Sequence, residues 1–314
     1  MPLKKHSYAD YGWLRGLNVI PSWGARIEQA WWSYDPQRVR AEMALARVIH
    51  ANCIRLWIEF TAWMADPETV TARFLDAVAA IDECGMKTMP CLFNRWHDTN
   101  WDYGGTYGEN FRGISAHREY VRAIVTPLKG DARILIWDLC NEPSALESDT
   151  DEFRWLEAIA REVRAIGASQ PITIGTHMVG NGANMDTYAP LCDVLCCHPY
   201  SRTPQQLKDD HAVCRAVQAK HRKPMLCNEC VPGSLNDLAR AECAQWTIAA
   251  LEREGWGWMG WGLREGLAIA TRRDRIDSNG LDGCGFHAWF TREGQLRAHM
   301  DFLKAPPSRH PPWV

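Results

Sequence analysis

A single (β/α)₈ TIM barrel of the α/β class is the fold this sequence predicts, and three observations lead to it. Apolar, strand-like runs alternate with segments of helical period along the whole chain, and there are eight such runs. No Gly-x-Gly-x-x-Gly follows the first run, which counts against an open dinucleotide-binding sheet. The length of 314 residues suits one closed barrel with its loops.

In order, the runs are RGLNVI (15–20), CIRLWIEF (53–60), KTMPCLFN (87–94), ILIWDLCNE (134–142), ITIGTH (172–177), DVLCCHPY (193–200), KPMLCNE (223–229) and GWGWMGWGL (255–263). They are nearly continuous in apolar character, as expected of parallel strands covered on both faces. Between them lie PQRVRAEMALARVIHA, PETVTARFLDAVAAIDECG, DEFRWLEAIAREVRAIG and SLNDLARAECAQWTIAALEREG, whose apolar residues recur at i, i+3, i+4 and i+7. Pro36 and Pro67 fit first-turn positions, and Gly85 and Gly167 fit helix ends. No linker or low-complexity stretch interrupts the pattern. One barrel domain over 1–314 is expected, with short extensions at about 1–12 and about 305–314. Two long connections stand out. RWHDTNWDYGGTYGENFRG follows the third run, and REGLAIATRRDRIDSNGLDGCG follows the eighth. Such loops, on the carboxyl side of barrel strands, are where function concentrates.

Composition narrows the function. Hydrophobic residues make up 46% and charged residues 23%, with a net charge of −3. No basic face suggests nucleic acid or an anionic membrane, and no run of about 18 apolar residues suggests a membrane span. The start MPLKKHSYADYGWLRG carries no apolar signal segment, so a cytoplasmic location is expected. Twelve cysteines sit mostly inside apolar runs, which suits buried, reduced thiols. Cys227 and Cys230 form a C-x-x-C without a second pair at zinc spacing, so no metal and no cofactor are expected. Sixteen tryptophans serve equally well as core filler or as surfaces on which sugar rings stack.

The polar residues at the strand ends carry the chemistry. Asn141 and Glu142 end run four, His198 and Tyr200 run six, and Glu229 run seven. Trp261 and Glu265 lie at or just past run eight, and Arg55 and Glu59 lie on run two. Carboxylates and imidazoles are costly to bury without partners, so their convergence on one rim needs a reason. Two glutamates on different strands facing one cleft satisfy glycosidic cleavage. One must be protonated to release the leaving oxygen, and the other ionised to attack the anomeric carbon.

The sequence resembles the clan A glycoside hydrolases, and most of all glycoside hydrolase family 5, the cellulase and β-mannanase family, over roughly residues 13–300. W-D-L-C-N-E-P (137–143) matches that family's strand 4 signature, which implies Glu142 as acid/base and Asn141 as a contact to the sugar 2-hydroxyl. K-P-M-L-C-N-E (223–229) resembles the segment ending in the nucleophile, hence Glu229. By the same resemblance N-x-x-R-L (52–56) makes Arg55 the strand 2 arginine near the nucleophile. H-P-Y (198–200) places Tyr200 on the nucleophile and His198 on the acid/base or substrate. Trp261 corresponds to the platform under the cleaved sugar, and His97 to a histidine that binds sugar hydroxyls. The stretch N-x-W…D-Y-G-G…Y (94–107) is similar to the β-mannanase branch and brings in Trp96, Trp101 and Tyr103 as subsite walls. Glu59 fits an arginine partner as well as a sugar contact. Asp138 reads as a structural partner inside the barrel.

The expected function is thus a retaining β-glycoside hydrolase working by double displacement on β-linked glucosides, mannosides or related short oligosaccharides, with carbohydrate as its partner. An endo-acting β-1,4-mannanase or β-glucanase is the alternative, and an inactive carbohydrate-binding barrel is the alternative of another class. A Schiff-base lysine or a His/Asp metal cluster at strand ends, which other barrel enzymes would need, is not found. Three structural expectations follow. The two carboxyl groups should stand about 5–5.5 Å apart. Cys140 and Cys227, each two residues before a glutamate, and Cys196, two before His198, should point into the barrel by strand alternation. The two long loops should close a pocket around one or two sugar units.

Overall fold

The computed structural model describes residues 7–94 and 114–313. Eight parallel strands close a barrel in chain order: β1 Arg15–Val19, β2 Cys53–Trp57, β3 Lys87–Cys91, β4 Trp137–Asn141, β5 Ile172–His177, β6 Leu195–His198, β7 Met225–Cys230 and β8 Gly257–Gly260. β8 returns to pair with β1, so no sheet edge is left open. The chain is a (β/α)₈ TIM barrel, as the alternation predicts. The strands are shorter than the apolar runs. In the fourth run, for instance, Ile134 is joined to Thr88 only through an isolated bridge.

Among the described residues the helices are α1 Ile27–Trp32, α2 Pro36–Arg47, α3 Phe60–Ala65, α4 Pro67–Glu83, α5 Ile114–Val125, α6 Asp151–Ala165, α7 Ala183–Tyr188, α8 Pro204–His221 and α9 Asp237–Glu254. Their starts follow the punctuation. Asp35 accepts from the amides of Gln37 and Arg38 ahead of Pro36, and Asp66 accepts from Thr69 ahead of Pro67. Gly85 and Gly167, just past α4 and α6, hold φ of 76° and 83°, a region that disfavours side chains. Two helical positions depart from regularity. The connection after β5 carries only the six-residue α7. After β8, among the described residues, the chain makes short 3₁₀ turns at Ile269–Thr271, Arg273–Arg275 and Asp301–Lys304. That leaves residues 264–285 as a long excursion.

Core packing has two parts. The larger lies between strands and helices and includes Phe74, Trp137, Trp155 and Ile159, all fully buried. The smaller fills the lower barrel with Cys53, Met89, Ile136, Cys196, Leu226 and Met259. Tyr11, Trp13 and Leu14 pack against it, and Trp313 meets Trp13 edge-on at 4.9 Å between ring centroids. Apolar and aromatic groups thus stopper one end of the barrel, and the polar site occupies the other.

Two β-bulges decide what faces that site. In β4, Asp138 pairs with Thr173 and Asn141 with Gly175, so Leu139 and Cys140 together stand opposite the single residue Ile174. Ile174 belongs to the outer core, and the extra residue brings Asn141 back to the inner face. In β7, Cys227 pairs with Trp258 and Cys230 with Gly260, so Asn228 and Glu229 together stand opposite Met259, which belongs to the inner core. The expectation for the cysteines is corrected accordingly. Cys196 does face inward, but Cys140 and Cys227 pack in the outer core, because Cys140 shares the bulge of β4 with Leu139, and the bulge of β7 at Asn228 and Glu229 puts Glu229 out of step with Cys227.

Candidate active site

The site is organised around Arg55, which β2 sends up the barrel axis with no exposed surface. Its Nε donates to Asp138 Oδ2 at 2.8 Å, one Nη1 bond reaches Asn18 Oδ1 at 2.9 Å and an Nη2 bond reaches Asn141 Oδ1 at 2.9 Å. Nη1 also forms an ion pair with Glu229 Oε1. Burial alone would strip charge from such a guanidinium, but the facing carboxylates of Asp138 and Glu229 outweigh it and hold the proton firmly. Asp138 has the internal structural role expected of it. Its second oxygen accepts from the Gly175 amide at 3.1 Å, and Asn228 donates to Oδ2 at 3.1 Å.

Glu229 lies in the bulge of β7. Oε1 meets Arg55, and the Tyr200 hydroxyl donates to Oε2 at 2.6 Å. Burial pushes the Glu229 carboxyl above its ordinary value, while His198, Arg55 and the Tyr200 hydrogen bond pull it back. Tyr200 is itself driven up by burial and by the two glutamates, so it keeps its proton and remains a donor.

Glu142 follows β4 with φ of 50°, a left-handed conformation that a glutamate rarely adopts. This turn sets its carboxyl against His198, whose Nδ1 lies 2.7 Å from Glu142 Oε1. The tautomer follows from the other side of the ring. Asn228 uses its amide nitrogen on Asp138, so its oxygen must accept, and His198 Nε2 donates to it at 2.9 Å. Nδ1 therefore faces Glu142 across a gap that holds one proton, as carboxylic acid with neutral imidazole or as carboxylate with imidazolium. Burial lowers the imidazole, but Glu229 and Glu142 raise it more, and the net value stands above the ordinary one.

An oxygen of Glu142, an oxygen of Glu229 and a ring nitrogen of His198 all lie within 4.8 Å of one another. Among the described residues this is the one His/Cys/Asp/Glu group close enough to hold a metal ion. The two carboxyl groups thus share one small cleft.

Other candidates divide. Trp261, half-buried and joined to Gly262 by a cis peptide, meets Trp57 with ring centroids 4.9 Å apart, at one side of the cluster. Glu59 is buried at the start of α3, where its Oε1 accepts from the Thr61 amide at 3.4 Å, so it caps a helix. Glu265 is nearly buried and is held by Arg273 at 3.4 Å and Arg292 at 3.8 Å, inside the long excursion. Trp96, His97, Trp101 and Tyr103 lie outside the described residues. Sequence reasoning missed Asn18, Trp57 and Asn228. Trp57 was accessible, since it lies two residues beyond Arg55 on one strand, and its Nε1 donates to Asn18 Oδ1 at 3.4 Å. Asn228 was hidden, because without the bulge it and Glu229 would face opposite ways.

Comparison with known proteins agrees with this arrangement. Residues 19–266 match the model of cellulase (glycosyl hydrolase family 5). Mannan endo-1,4-beta-mannosidase A of Aspergillus aculeatus is 25% identical over 128 residues, 36% of this chain and 33% of that protein. The corresponding protein of Hypocrea jecorina is 25% identical over 129 residues, covering 35% and 29%. The aligned stretch therefore spans about a third of those relatives. Among solved structures, GH5_18 from Streptomyces cattleya in complex with GlcNAc superposes with TM-score 0.72 at 15% identity, covering 93% of this chain and 78% of that one. An exo-beta-1,4-mannosidase from Opitutaceae bacterium strain TAV5 gives 0.72 at 16%, covering 97% and 61%. These likenesses establish the fold. The family match covers most of the chain, β2 to β8 and both glutamates, and the chain belongs to glycosyl hydrolase family 5.

Proposed function

We propose that the protein is a retaining β-glycoside hydrolase, with Glu229 as nucleophile and Glu142 as acid/base, acting on short β-linked mannosides or glucosides. The observation that carries this reading is the spacing of the pair. One oxygen of each carboxyl lies within 4.8 Å of the other, a close approach that fits the short spacing of retaining enzymes better than the about 6.5–9.5 Å of inverting ones.

Each residue then has a task. Arg55 and the Tyr200 hydroxyl occupy one Glu229 oxygen each, orienting the carboxylate and favouring its ionised form. Glu229 attacks the anomeric carbon while Glu142 gives the leaving oxygen the proton it shares with His198. Water then enters, Glu142 removes its proton, and the ester to Glu229 breaks with the β configuration restored. Asn141, fixed by Arg55 and by Asn94 at 3.2 Å, faces the same space and fits a sugar hydroxyl.

Carbohydrate is the partner in this reading. A panel of aryl β-mannosides, β-glucosides and β-glucuronides tests it, with the first-formed anomer read by NMR. A β product from one of them supports retention, and an α product excludes it. The names of the curated relatives favour a second reading, endo-action on mannan. A fast fall in viscosity with long early products would select that reading. Monosaccharide release at steady viscosity would select action on short chains.

A further inference from the structure

We propose that His177, at the end of β5, binds a hydroxyl of the leaving-group sugar and so selects what is attached to the sugar being cleaved. The proposal deepens the glycosidase reading above and rests on it.

The placement follows from register. His177 pairs with His198 across β5 and β6, and laterally paired residues of parallel strands point to the same face. His198 faces the cleft, since it touches Glu142 and Asn228. Two residues earlier, Gly175 confirms the inner face, because a Cβ there would lie 2.7 Å from His198 Nε2. The His177 side chain therefore stands on the cleft side of β5, next to the strand that carries Glu142. The two backbones are tied there by the Glu142 amide, which donates to the Gly175 carbonyl at 2.8 Å.

In-line displacement says which part of the substrate reaches it. Glu229 attacks from the β7 side, so the leaving oxygen points away from β7, toward Glu142 on β4. The sugar carried by that oxygen extends past Glu142 to the neighbouring strand ends, and β5 is one of them. His177 is only half-buried there, and its Nδ1 meets no hydrogen-bonding partner among the described residues although it is shielded from solvent. Such an atom is costly to leave unpaired, and a turn of the half-exposed ring about its Cβ–Cγ bond would present it to a ligand hydroxyl. The backbone is braced for the purpose. Buried Asn184 donates to the His177 carbonyl at 2.5 Å, and the chain then turns sharply through Gly180 and Gly182, with φ of 60° and 82°.

The experiment compares two substrates with the same sugar at the cleaved position. One releases 2,4-dinitrophenolate, which needs neither protonation nor a sugar contact, and the other is the disaccharide. In His177→Ala and His177→Phe, kcat/KM for the disaccharide should fall about three- to tenfold, the worth of one hydrogen bond, mainly through KM. The dinitrophenyl glycoside should be cleaved as by the wild type, and transfer of its sugar to an added monosaccharide should drop relative to transfer to water. The phenylalanine variant keeps the ring volume and so separates lost packing from the lost hydrogen bond. An equal fall for both substrates, or no fall for either, would overturn the proposal. A wild type that cleaves neither substrate would instead refute the glycosidase reading, and the proposal with it.

Discussion

His198 Nδ1 and Glu142 Oε1 stand 2.7 Å apart, and the opposite nitrogen of the ring is committed to Asn228. The proton of this pair sits between an imidazole and a carboxyl, beside a second carboxylate already paired with Arg55. The pair acts as a proton reservoir whose occupancy depends on pH.

A pH dependence of stability follows. In the folded protein the imidazole is raised above its ordinary value of 6.5, so the native state binds more protons than the unfolded chain between those two values. The stability this site contributes is complete below about pH 6.5 and is lost as pH rises through the raised value. Glu229, raised from 4.5, gives a change of the same sign over a lower range. In His198→Gln the decline of thermal stability above about pH 6.5 should flatten, as followed by circular dichroism. An unchanged slope would remove His198 as its source.

Replacing each glutamate separates the two steps. Glu142→Ala should slow disaccharide hydrolysis by roughly 10²–10⁴-fold, the usual share of a positioned acid. Attack on a 2,4-dinitrophenyl glycoside should continue in that variant, with glycosyl-enzyme accumulating and visible by mass spectrometry. Glu229→Ala should form no such adduct. An adduct in Glu229→Ala would exclude it as the nucleophile.

Asp138→Ala should be among the most damaging single changes. It leaves the fully buried Arg55 without its main counter-charge and the Gly175 amide and Asn228 without an acceptor. Breaking one side of a buried pair costs about 3–5 kcal/mol, to be read from denaturant unfolding. A loss below about 1 kcal/mol would place Asp138 with the exposed pairs.

Arg222 gives a change of opposite sign. It follows α8 with φ of 52°, is exposed, and donates its amide to the Gln218 carbonyl at 2.8 Å. Glycine adopts that conformation without strain, so Arg222→Gly should stabilise the protein by about 1 kcal/mol in the same assay. A destabilised variant would show that the arginine side chain contributes more than the strain costs.

Much of this was legible in the sequence, because barrel alternation, first-turn prolines and terminal glycines act locally. The site residues Arg55, Asn141, Glu142, His198, Tyr200 and Glu229 were legible because polar groups at the ends of apolar strands have few other reasons to exist. The direction of the side chains was less so. Leu-Cys-Asn-Glu occurs at 139–142 and again at 226–229, yet Leu139 packs outward and Leu226 inward. Identical tetrapeptides are placed differently because the extra residue enters at different points of their strands, which depends on the neighbouring strand. Glu59 and Glu265 have partners that the strand pattern does not reveal. A cap on α3 and an ion pair with Arg273 and Arg292 are set by chain segments that strand position does not reveal.

The two bulges work as frameshifts. A strand is read in steps of two, and one added residue moves everything after it into the other frame. Were β4 paired regularly at its full length, Asn141 would be carried across to the helix layer and Arg55 stripped of a partner; removing Cys140 instead restores regular pairing with Asn141 still opposite Gly175. Hydrogen bonds along the sheet would be gained, so the shortened chain should still close its barrel and keep Asn141 beside Arg55. In this barrel the imperfect pairing of two strands is what lets neighbouring residues, Asn228 and Glu229, face the same cleft.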